Sequence, residues 1–320
     1  MSTKSIFVIG ATGFIGLQIA LALRHAGFIV YGLARSDEKI GILLKNEIIP
    51  ILHTSNDVNY LEKVAKLGVT HVIDLSGTPV STPAIAAKLV EINKSNKVKI
   101  GLVYTSGLWV HGNDPINEVD ETHTGADENV AELIRWRPTL EKKLLAYKDE
   151  LPVIVVRPGL LFGYNSPIWA VFFKDLVEEI VKNGKGEVYI PVKKDLKTGF
   201  IHVTDVADFF LKVIEKFELF NSSVHKLAIF DIISETIEVA PFLEKAAKDL
   251  GFKGSINFAG PPPGNKFIEA FNTSFVASSK RARSHFNWEP KSLISRDIGL
   301  YARSWAAANN KDYVNFYAKL

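Results

Sequence analysis

Short apolar runs alternate with longer amphipathic segments through the first half of the chain. The runs are rich in Val, Ile and Leu, which is typical of buried parallel strands, whereas the segments between them repeat at helical spacing. The predicted strands are Ser5 to Ile9, Phe28 to Leu33, Glu47 to Leu52, Thr70 to Leu75, Lys99 to Thr105 and Val153 to Arg157. The predicted helices are 14–26, 37–45, 57–67, 82–96 and 128–149. This alternation predicts an α/β fold, with a doubly wound parallel sheet between two helical layers.

The pattern becomes irregular after Gly159. Short strands mix there with a Gly-rich loop, a Pro-rich loop and further helices, which are predicted at 183–186, 261–264, 168–182, 205–217 and 239–250. We therefore predict two lobes. Residues 1–160, with returns near 200–215, form the nucleotide-binding domain, and residues 161–320 form a smaller C-terminal α/β lobe that binds the substrate.

Three glycines separate the first strand from the first helix. Gly10 permits the sharp turn, Gly13 allows close approach of a pyrophosphate, and Gly16 lets the helix pack on the strand. The free N–H groups of the first helical turn then face the anion. This arrangement predicts a Rossmann-like dinucleotide site, with cofactor contacts from Gly10, Thr12, Gly13, Phe14, Ile15 and Gly16.

Composition narrows the classes of partner. The chain has 320 residues, 47% of them hydrophobic, and its net charge of +3 is not gathered into a basic block, so we expect no nucleic acid. Zero cysteines exclude a disulfide or a thiolate nucleophile, and the eight histidines lack metal-binding spacing. No apolar run is long enough for a membrane helix, which favours a cytoplasmic protein. The ending Ala318-Lys319-Leu320 resembles a peroxisomal import signal, and if it is read as one the protein is peroxisomal.

Several dispersed motifs resemble those of one enzyme family, in the same order along the chain. They are GATGFIG at 10–16, HVIDLSG at 71–77, LVYTSG at 102–107, VIVVRPGLLFG at 153–163, GFIHVTDVADFF at 199–210 and FNWEP at 286–290. Together they resemble the extended short-chain dehydrogenase/reductase family of NAD(P)-dependent epimerases, dehydratases and reductases. The resemblance covers essentially the whole chain. It implies further cofactor contacts at Ser76 and Gly77, and at Pro158 and Gly159 beside the nicotinamide.

Cofactor preference follows from the end of the second strand. Members of this family that prefer NAD carry a carboxylate there, which binds the ribose hydroxyls and repels a 2′-phosphate. That position falls on Ala34, and Arg35 and Ser36 follow it. A small residue followed by a permanently charged guanidinium favours NADP(H) over NAD(H).

The proton donor that the family uses is missing. Its tyrosine lies four residues before a lysine on the helix that precedes the RPG strand, but alignment on Glu141 puts Leu133 at the tyrosine and Arg137 at the lysine. Arg137 remains a candidate ligand of the ribose hydroxyls. A shifted register pairs Thr139 with Lys143, and the one literal match, Tyr189 to Lys193, lies in a strand where this spacing does not align side chains.

Three other residues are candidates for a catalytic role in place of the missing tyrosine. Ser106 occupies the family's serine position in one register, whereas Gly107 occupies it in another. His111 stands where the family often has a tyrosine, and histidine as a residue type suits acid–base work near neutral pH. Tyr164 follows the RPG segment. Packing in the core is the expected role of Trp109, Trp136 and Trp169, with the lining of a substrate pocket as the alternative. His202 is expected to be structural and Asp205 to cap a helix.

These observations leave three functional hypotheses. The first is an NADP-dependent oxidoreductase that acts on a small carbonyl or hydroxyl substrate with a non-standard proton donor. The second is a catalytically inactive NADP(H)-binding sensor or scaffold. The third is an epimerase, dehydratase or isomerase of the same fold that does not use the tyrosine–lysine pair. Apolar positions in the helices at 82–96 and 128–149 allow a homodimer.

Overall fold

The computed structural model describes residues 4–123 and 129–318. The strands are β1 Ser5–Ile9, β2 Ile29–Ala34, β3 Ile49–Leu52, β4 His71–Asp74, β5 Gly101–Thr105, β6 Asp114–Val119, β7 Val153–Pro158, β8 Leu160–Phe162, β9 Glu187–Ile190, β10 Lys197–His202, β11 Ile229–Ile232, β12 Glu235–Glu238, β13 Ser255–Phe258 and β14 Phe275–Ala277. The helices are α1 Phe14–His25, α2 Asp37–Lys45, α3 Tyr60–Lys66, α4 Ser81–Ser95, α5 Arg137–Ala146, α6 Ala170–Lys182, α7 Val203–Phe220, α8 Val239–Leu250, α9 Lys266–Phe271, α10 Lys280–Phe286, α11 Ile294–Asn309 and α12 Lys311–Tyr317.

The large sheet has seven strands in the order β11-β7-β5-β4-β1-β2-β3. Every neighbouring pair is parallel. The chain winds outward in one direction from β1 to β3 and in the other from β4 to β11, so the direction reverses between β1 and β4. The predicted Rossmann-like, doubly wound α/β fold is confirmed, and ligands in such sheets bind at the carboxyl ends of the strands beside this reversal.

Apolar side chains fill both faces of the large sheet. On one face α1 and α7 pack together over a core that includes Ile19 and Phe210. On the other face α3, α4 and α5 cover a core that includes Leu89 and Tyr104. The chain returns to the sheet at β11, beyond the returns predicted near 200–215.

A second apolar core lies among the C-terminal elements. Helices α6, α8 and α11 surround the small sheet β12-β10-β8, and strands β13 and β9 pair in parallel beside them. Trp169, Phe172, Phe173 and Phe200 are all fully buried there. Trp169 is therefore a core residue and not part of a substrate pocket.

The structure changes the prediction for two segments. The helix predicted over 128–149 is shorter in the structure, where it spans Arg137–Ala146 and follows a 3-10 turn at Glu132–Ile134. The helix begins at this point because Pro138 favours the first turn of a helix. Residue 128 lies outside the described residues. Asp205 does not cap α7. Its carboxylate accepts the Lys291 and Ser292 backbone N–H groups, each at 3.0 Å, and the cap of α7 is His202, which accepts the Thr204 N–H.

Within residues 4–123 and 129–318, no helix is both long and apolar enough to cross a membrane. The tripeptide Ala318-Lys319-Leu320 reaches past the described residues, since Lys319 and Leu320 lie outside them. Its reading as an import signal stays a prediction.

Candidate functional site

The glycine turn after β1 is held in the conformation that the sequence predicts. Gly10 has φ +88°, and Gly13 donates its backbone N–H to the Gly10 carbonyl at 2.9 Å. A β-carbon at Gly16 would lie 2.0 Å from that carbonyl oxygen, so only glycine lets α1 approach the strand this closely. Gly13 at the N-cap provides no side-chain cap, and the first turn has no acidic residue. Its N–H groups are therefore suited to bind a phosphate.

A cleft runs from this turn along the carboxyl ends of the strands. Its narrower part, about 240 Å³, is lined by Gly10, Gly13, Phe14, Ile15, Gly16, Leu75, Leu161, Ser166, Pro167 and Ile168. Its wider part, about 490 Å³, shares Ile15, Leu161 and Ile168 with the first and continues to Ser106, Arg137, Pro158 and Gly159. The continuity of the two parts matches an elongated ligand, with phosphates at the glycine turn and a ring beside Pro158.

Asp74 organises the loop that borders the cleft at the end of β4. Its side chain is fully buried and accepts hydrogen bonds from the Ser76 backbone N–H at 2.9 Å, the Ser76 hydroxyl at 2.5 Å and the Thr82 hydroxyl at 2.6 Å. The Ser76 hydroxyl is therefore engaged inside the loop, whereas Gly77, at φ +52°, faces the wider part of the cleft. Ser76 therefore has a role in the geometry of the loop, and Gly77 is part of the cleft lining.

Arg35 lies on the surface at the end of β2. Its Nη1 donates to the backbone carbonyl of Ser55 and, at 3.4 Å, to that of His53. Both bonds use one nitrogen of the guanidinium. Ser36 is the N-cap of α2 and accepts the Lys39 N–H at 3.4 Å. The arginine is thus fixed beside the loop after β3, at the edge of the sheet where a Rossmann fold holds the adenosine ribose.

The hydroxyls at the end of β5 point to a missing polar partner. Thr105 and Ser106 are 7% and 6% exposed, and both line the wider part of the cleft. Neither Oγ has a hydrogen-bond partner among the described residues. A buried hydroxyl without a partner is costly, so a polar ligand atom at this position would stabilise both. The residue next to them in the cleft, at the alternative serine register, is Gly107.

Among the described residues that line the wider part of the cleft, Arg137 is the one with a charged side chain. Its guanidinium lies between two glycines, since a β-carbon at Gly77 would be 3.4 Å from Nη2 and one at Gly107 would be 3.5 Å from Nη1. The guanidinium carbon also lies 5.3 Å from the ring centroid of Trp136. Within the described part of the chain, Arg137 makes no ion pair, and its buried Nε has no hydrogen-bond partner.

The rest of the wider part is mostly apolar. Its side chains come from both lobes and are Ile15, Pro79, Leu108, Trp109, Leu133, Ile134, Trp136, Leu160, Leu161, Ile168, Phe267 and Phe275, with Thr78 as an additional hydroxyl. Trp109 and Trp136 line the cleft, which was the alternative to the packing in the core that we expected for them. Phe267 and Phe275 were missed because they lie more than a hundred residues from the cofactor motifs in sequence. No signal in the sequence indicates that α9 and β14 fold back onto this site.

His111 does not lie in the cleft, which overturns its candidacy as proton donor. It is 1% exposed, its Nδ1 is 2.8 Å from the His123 carbonyl oxygen, and its Nε2 is 2.6 Å from Asp231 Oδ2. A carbonyl oxygen only accepts, so Nδ1 carries a proton, and both ring nitrogens are committed to protein groups. His111 is therefore a structural residue of the buried interior.

That histidine belongs to a buried network of charges. Asp231 Oδ1 lies 3.6 Å from Arg157 Nη1, and Arg157 binds Glu141 through Nε and Nη2, the latter at 2.5 Å. Glu121 accepts the Asp231 backbone N–H at 2.9 Å, and burial together with the Asp231 charge raises the pKa of Glu121 to about 7. Through Glu141 this network fixes α5, the helix that presents Arg137, against β7.

Tyr164 is also outside the cleft. It is 48% exposed with φ +48°, and its ring contacts that of His202 at 5.6 Å between centroids. The structure does not support it as a proton donor. Tyr189 of the literal tyrosine–lysine match is 59% exposed on β9, donates to Glu187 at 3.0 Å and is not among the residues that line the cleft. Of the predicted catalytic residues, only Ser106 reaches the cleft.

Metal chemistry has no visible site in residues 4–123 and 129–318. No group of three or more His, Cys, Asp or Glu side chains is placed there to hold an ion. The clustered carboxylates of the network are already paired with arginines, histidine or backbone N–H groups.

The glycine turn, the doubly wound sheet and the cleft define a dinucleotide-binding protein of the Rossmann class. Residues 6–224 match the model of the NAD dependent epimerase/dehydratase family, and since this is more than half of the chain, the protein belongs to that family. The resemblance inferred from the dispersed motifs is thereby confirmed. No curated protein matches the sequence.

Solved structures with the same fold cover nearly the whole chain. The dTDP-glucose 4,6-dehydratase from Bacillus anthracis, in complex with NAD, is 17% identical, with 97% of this chain and 98% of that chain covered and a TM-score of 0.75. The UDP-glucose 4-epimerase from Thermotoga maritima is 16% identical, with coverage of 95% and 99% and a TM-score of 0.70. The UDP-glucose 4-epimerase from Thermus thermophilus, in complex with NAD, is 18% identical, with coverage of 95% and 100% and a TM-score of 0.69.

Proposed function

We propose that this protein binds an NADP(H)-type dinucleotide in the cleft together with a compact, mostly apolar ligand, and does not reduce carbonyls by acid–base catalysis. The observation that carries the proposal is the wider part of the cleft itself. Leu133, which the motif alignment assigns to the family's tyrosine position, lines this part, whereas His111 and Tyr164 do not. Apart from the indole N–H groups of Trp109 and Trp136, the polar side chains in its described lining are Arg137 and the hydroxyls of Thr78, Thr105 and Ser106. A guanidinium is a poor proton donor at neutral pH.

Several independent observations indicate that the cradle, by which we mean the Gly10–Gly16 turn and the cleft beside it, can hold a dinucleotide. A β-carbon at Gly16 would clash with the Gly10 carbonyl oxygen and push α1 away from the turn. The first turn of α1 has free N–H groups, and Thr105 and Ser106 present hydroxyls that have no partner among the described residues. In this proposal the glycine turn holds the phosphates and Arg137 lies beside the nicotinamide ribose. Pro158 and Gly159 border the ring, and the bound nicotinamide would supply hydride chemistry if a reactive substrate were present.

Preference for NADP(H) is part of the proposal and is supported by Arg35. Its Nη1 donates to two backbone carbonyls, which hold the guanidinium in place. Its Nε and Nη2 make no hydrogen bond to the described residues and remain available to a ligand. A planar cation held at the ribose edge favours a 2′-phosphate. The related dehydratase and epimerase structures contain NAD, so this preference is a point on which the present chain would differ.

A reductase that uses the Ser106 hydroxyl is the second candidate. It is favoured by the position of Ser106 Oγ, which is buried, lines the cleft and lacks a described partner. An epimerase, dehydratase or isomerase without the tyrosine–lysine pair would need the same hydroxyl to bind its substrate. An enzyme of either kind and the non-catalytic protein proposed above would bind the dinucleotide with the same residues. The three candidates therefore differ only in whether a bound substrate is converted.

The deciding experiment uses the purified full-length protein. NADPH is titrated by the enhancement of its fluorescence, and its oxidation is then followed with a panel of aldehydes and ketones. We expect saturable binding without oxidation above the protein-free rate. Turnover that disappears in Ser106→Ala with NADPH binding intact would instead establish the reductase. Absence of NADPH and NADH binding would overturn both.

A further inference from the structure

We infer that the apolar ligand of the cleft is a monocarboxylate, whose carboxylate is bound by Arg137 and whose hydrocarbon part lies between the two lobes. The inference deepens the proposed function and rests on it. It begins from the charge balance around Arg137, since the guanidinium lies in a largely apolar cavity without a counter-charge among the described residues.

The nearest acid on the same helix is already committed. Glu141, one turn after Arg137, is 1% exposed and binds Arg157 through both carboxylate oxygens, with Nε at 3.2 and 3.1 Å. Arg157 in turn lies 3.6 Å from Asp231, so the negative charges of this region are neutralised inside the protein. The positive charge of Arg137 is not neutralised in this way, because no described carboxylate lines the wider part of the cleft.

The groups beside Arg137 complete an anion site. Ser106 and Thr105 offer hydroxyls that have no described hydrogen-bond partner, and Gly107 leaves Nη1 uncovered because a β-carbon there would lie only 3.5 Å from it. The Arg137 guanidinium carbon also lies over the Trp136 ring, 5.3 Å from its centroid, as in a cation–π contact. A carboxylate accepts two parallel N–H hydrogen bonds from a guanidinium, and it accepts hydrogen bonds from hydroxyl groups as well.

The apolar lining of the wider part of the cleft determines which kind of group can be attached to the carboxylate. Trp109 lies 6.2 Å from Phe267 and 6.4 Å from Phe271 between ring centroids, so helix α9 and the β5 end form an aromatic wall. Lys266 of α9 also binds Glu132 beside Leu133 at 2.6 Å, which joins the two lobes at this wall. A nucleotide sugar would find few hydrogen-bond partners here, whereas an aryl or alkyl chain would bury apolar area on every side.

The test compares two probes of equal size, 3-phenylpropionate and its neutral analogue 3-phenylpropanamide. Binding of each to the NADPH-saturated protein is measured by calorimetry. We expect the carboxylate to bind about tenfold or more tighter than the amide, as a charge-assisted bond in a desolvated site would give. Arg137→Gln should remove that preference and Arg137→Lys should retain part of it. Arg135→Gln, at an exposed arginine two residues away, should behave as the unmodified protein does.

Equal affinity for the two probes overturns the inference, and so does a preference that survives Arg137→Gln. Binding of 3-phenylpropionate only in the absence of NADPH also overturns it, because the bound cofactor would then leave no part of the Arg137 guanidinium for a carboxylate. NADPH binding is measured first and separately. Its failure refutes the proposed function, whereas NADPH binding without carboxylate preference refutes only the inference.

Discussion

Leu133 and Arg137 line the same cavity although they belong to different elements. Leu133 lies in the 3-10 turn and Arg137 is the first residue of α5. Of the three residues between them, Ile134 ends the 3-10 turn, and Arg135 and Trp136 keep right-handed helical angles. The two side chains therefore stay on one side of the backbone. A hydroxyl at position 133 would therefore meet both the cavity and the guanidinium.

Leu133→Tyr should introduce a proton donor. Burial raises the pKa of the neighbouring Tyr104, and the Arg137 charge opposes that rise, so a phenol at position 133 would also be made more acidic by Arg137. Because general acid catalysis contributes about a hundredfold or more, we expect NADPH oxidation with a reactive aldehyde to rise by about that factor. Leu133→Phe is the matched control, since it has the same ring without the hydroxyl. Equal rates in the two variants would refute the prediction.

Glu141→Gln should strongly destabilise the fold. The change leaves Arg157 buried, 0% exposed, without its main carboxylate, and breaking a buried pair on one side costs about 3 to 5 kcal/mol. The free energy of unfolding in urea measures the loss. Glu132→Gln removes the same charge from an exposed pair with Lys266 and should change it little. Comparable losses in both variants would show that Glu141 contributes no more than a surface charge.

The large sheet and the cofactor turn could be predicted from the sequence because both depend on local patterns. Apolar runs specify parallel strands, and the spacing of Gly10, Gly13 and Gly16 encodes the turn that the structure contains. The predicted bounds of α2 and α8 match the structure residue for residue. Such features require only neighbours in the chain.

The failures concern residues whose role depends on distant partners. His111 has the right chemistry and the right place in the motif, but Asp231, 120 residues later, binds its ring in the interior. Tyr164 follows the RPG strand yet faces solvent beside His202. Phe267 and Phe275 reach the cleft through tertiary folding of the C-terminal lobe. No local pattern distinguishes a histidine that faces a cleft from one that pairs with a buried acid.

Stability should depend on pH through Glu121. Burial and Asp231 raise its pKa from an ordinary 4.5 to about 7, so between these values the folded state binds a proton that the unfolded state has released. This contribution to stability is therefore present at acidic pH and is lost as the pH rises through about 7. We expect Glu121→Gln, which stays neutral, to gain about 2 kcal/mol relative to the unmodified protein between about pH 5.5 and about pH 8.

Urea unfolding at the two pH values measures this difference. Glu132→Gln serves again as the control, because Lys266 lowers the pKa of Glu132 and that carboxylate is charged at both values. A stability difference between Glu121→Gln and the unmodified protein that is independent of pH would contradict the assignment.

Arg35→Asp should reverse the cofactor preference. The substitution replaces the cation at the end of β2 with a carboxylate, which repels a 2′-phosphate and accepts ribose hydroxyls. We expect the dissociation constant for NADPH to rise about tenfold or more, with a smaller change for NADH. Arg24→Asp makes the same change of charge at the far end of α1, beside Glu47, and should leave the ratio of the two constants unaltered. Equal weakening of both cofactors by Arg35→Asp would remove the 2′-phosphate assignment.

Gly16→Ala should disable the cradle, whereas Gly41→Ala should not. At position 16 the new methyl group would lie 2.0 Å from the Gly10 carbonyl oxygen, so β1 and α1 must move apart. We expect a loss of at least about 2 kcal/mol in unfolding free energy and at least about tenfold weaker NADPH binding. At position 41, inside α2, a β-carbon meets no atom within 4 Å, and alanine should stabilise the helix by about 0.5 to 1 kcal/mol. NADPH binding that is equally strong in both variants would show that the close contact of α1 with the Gly10 turn is not needed to hold the phosphates.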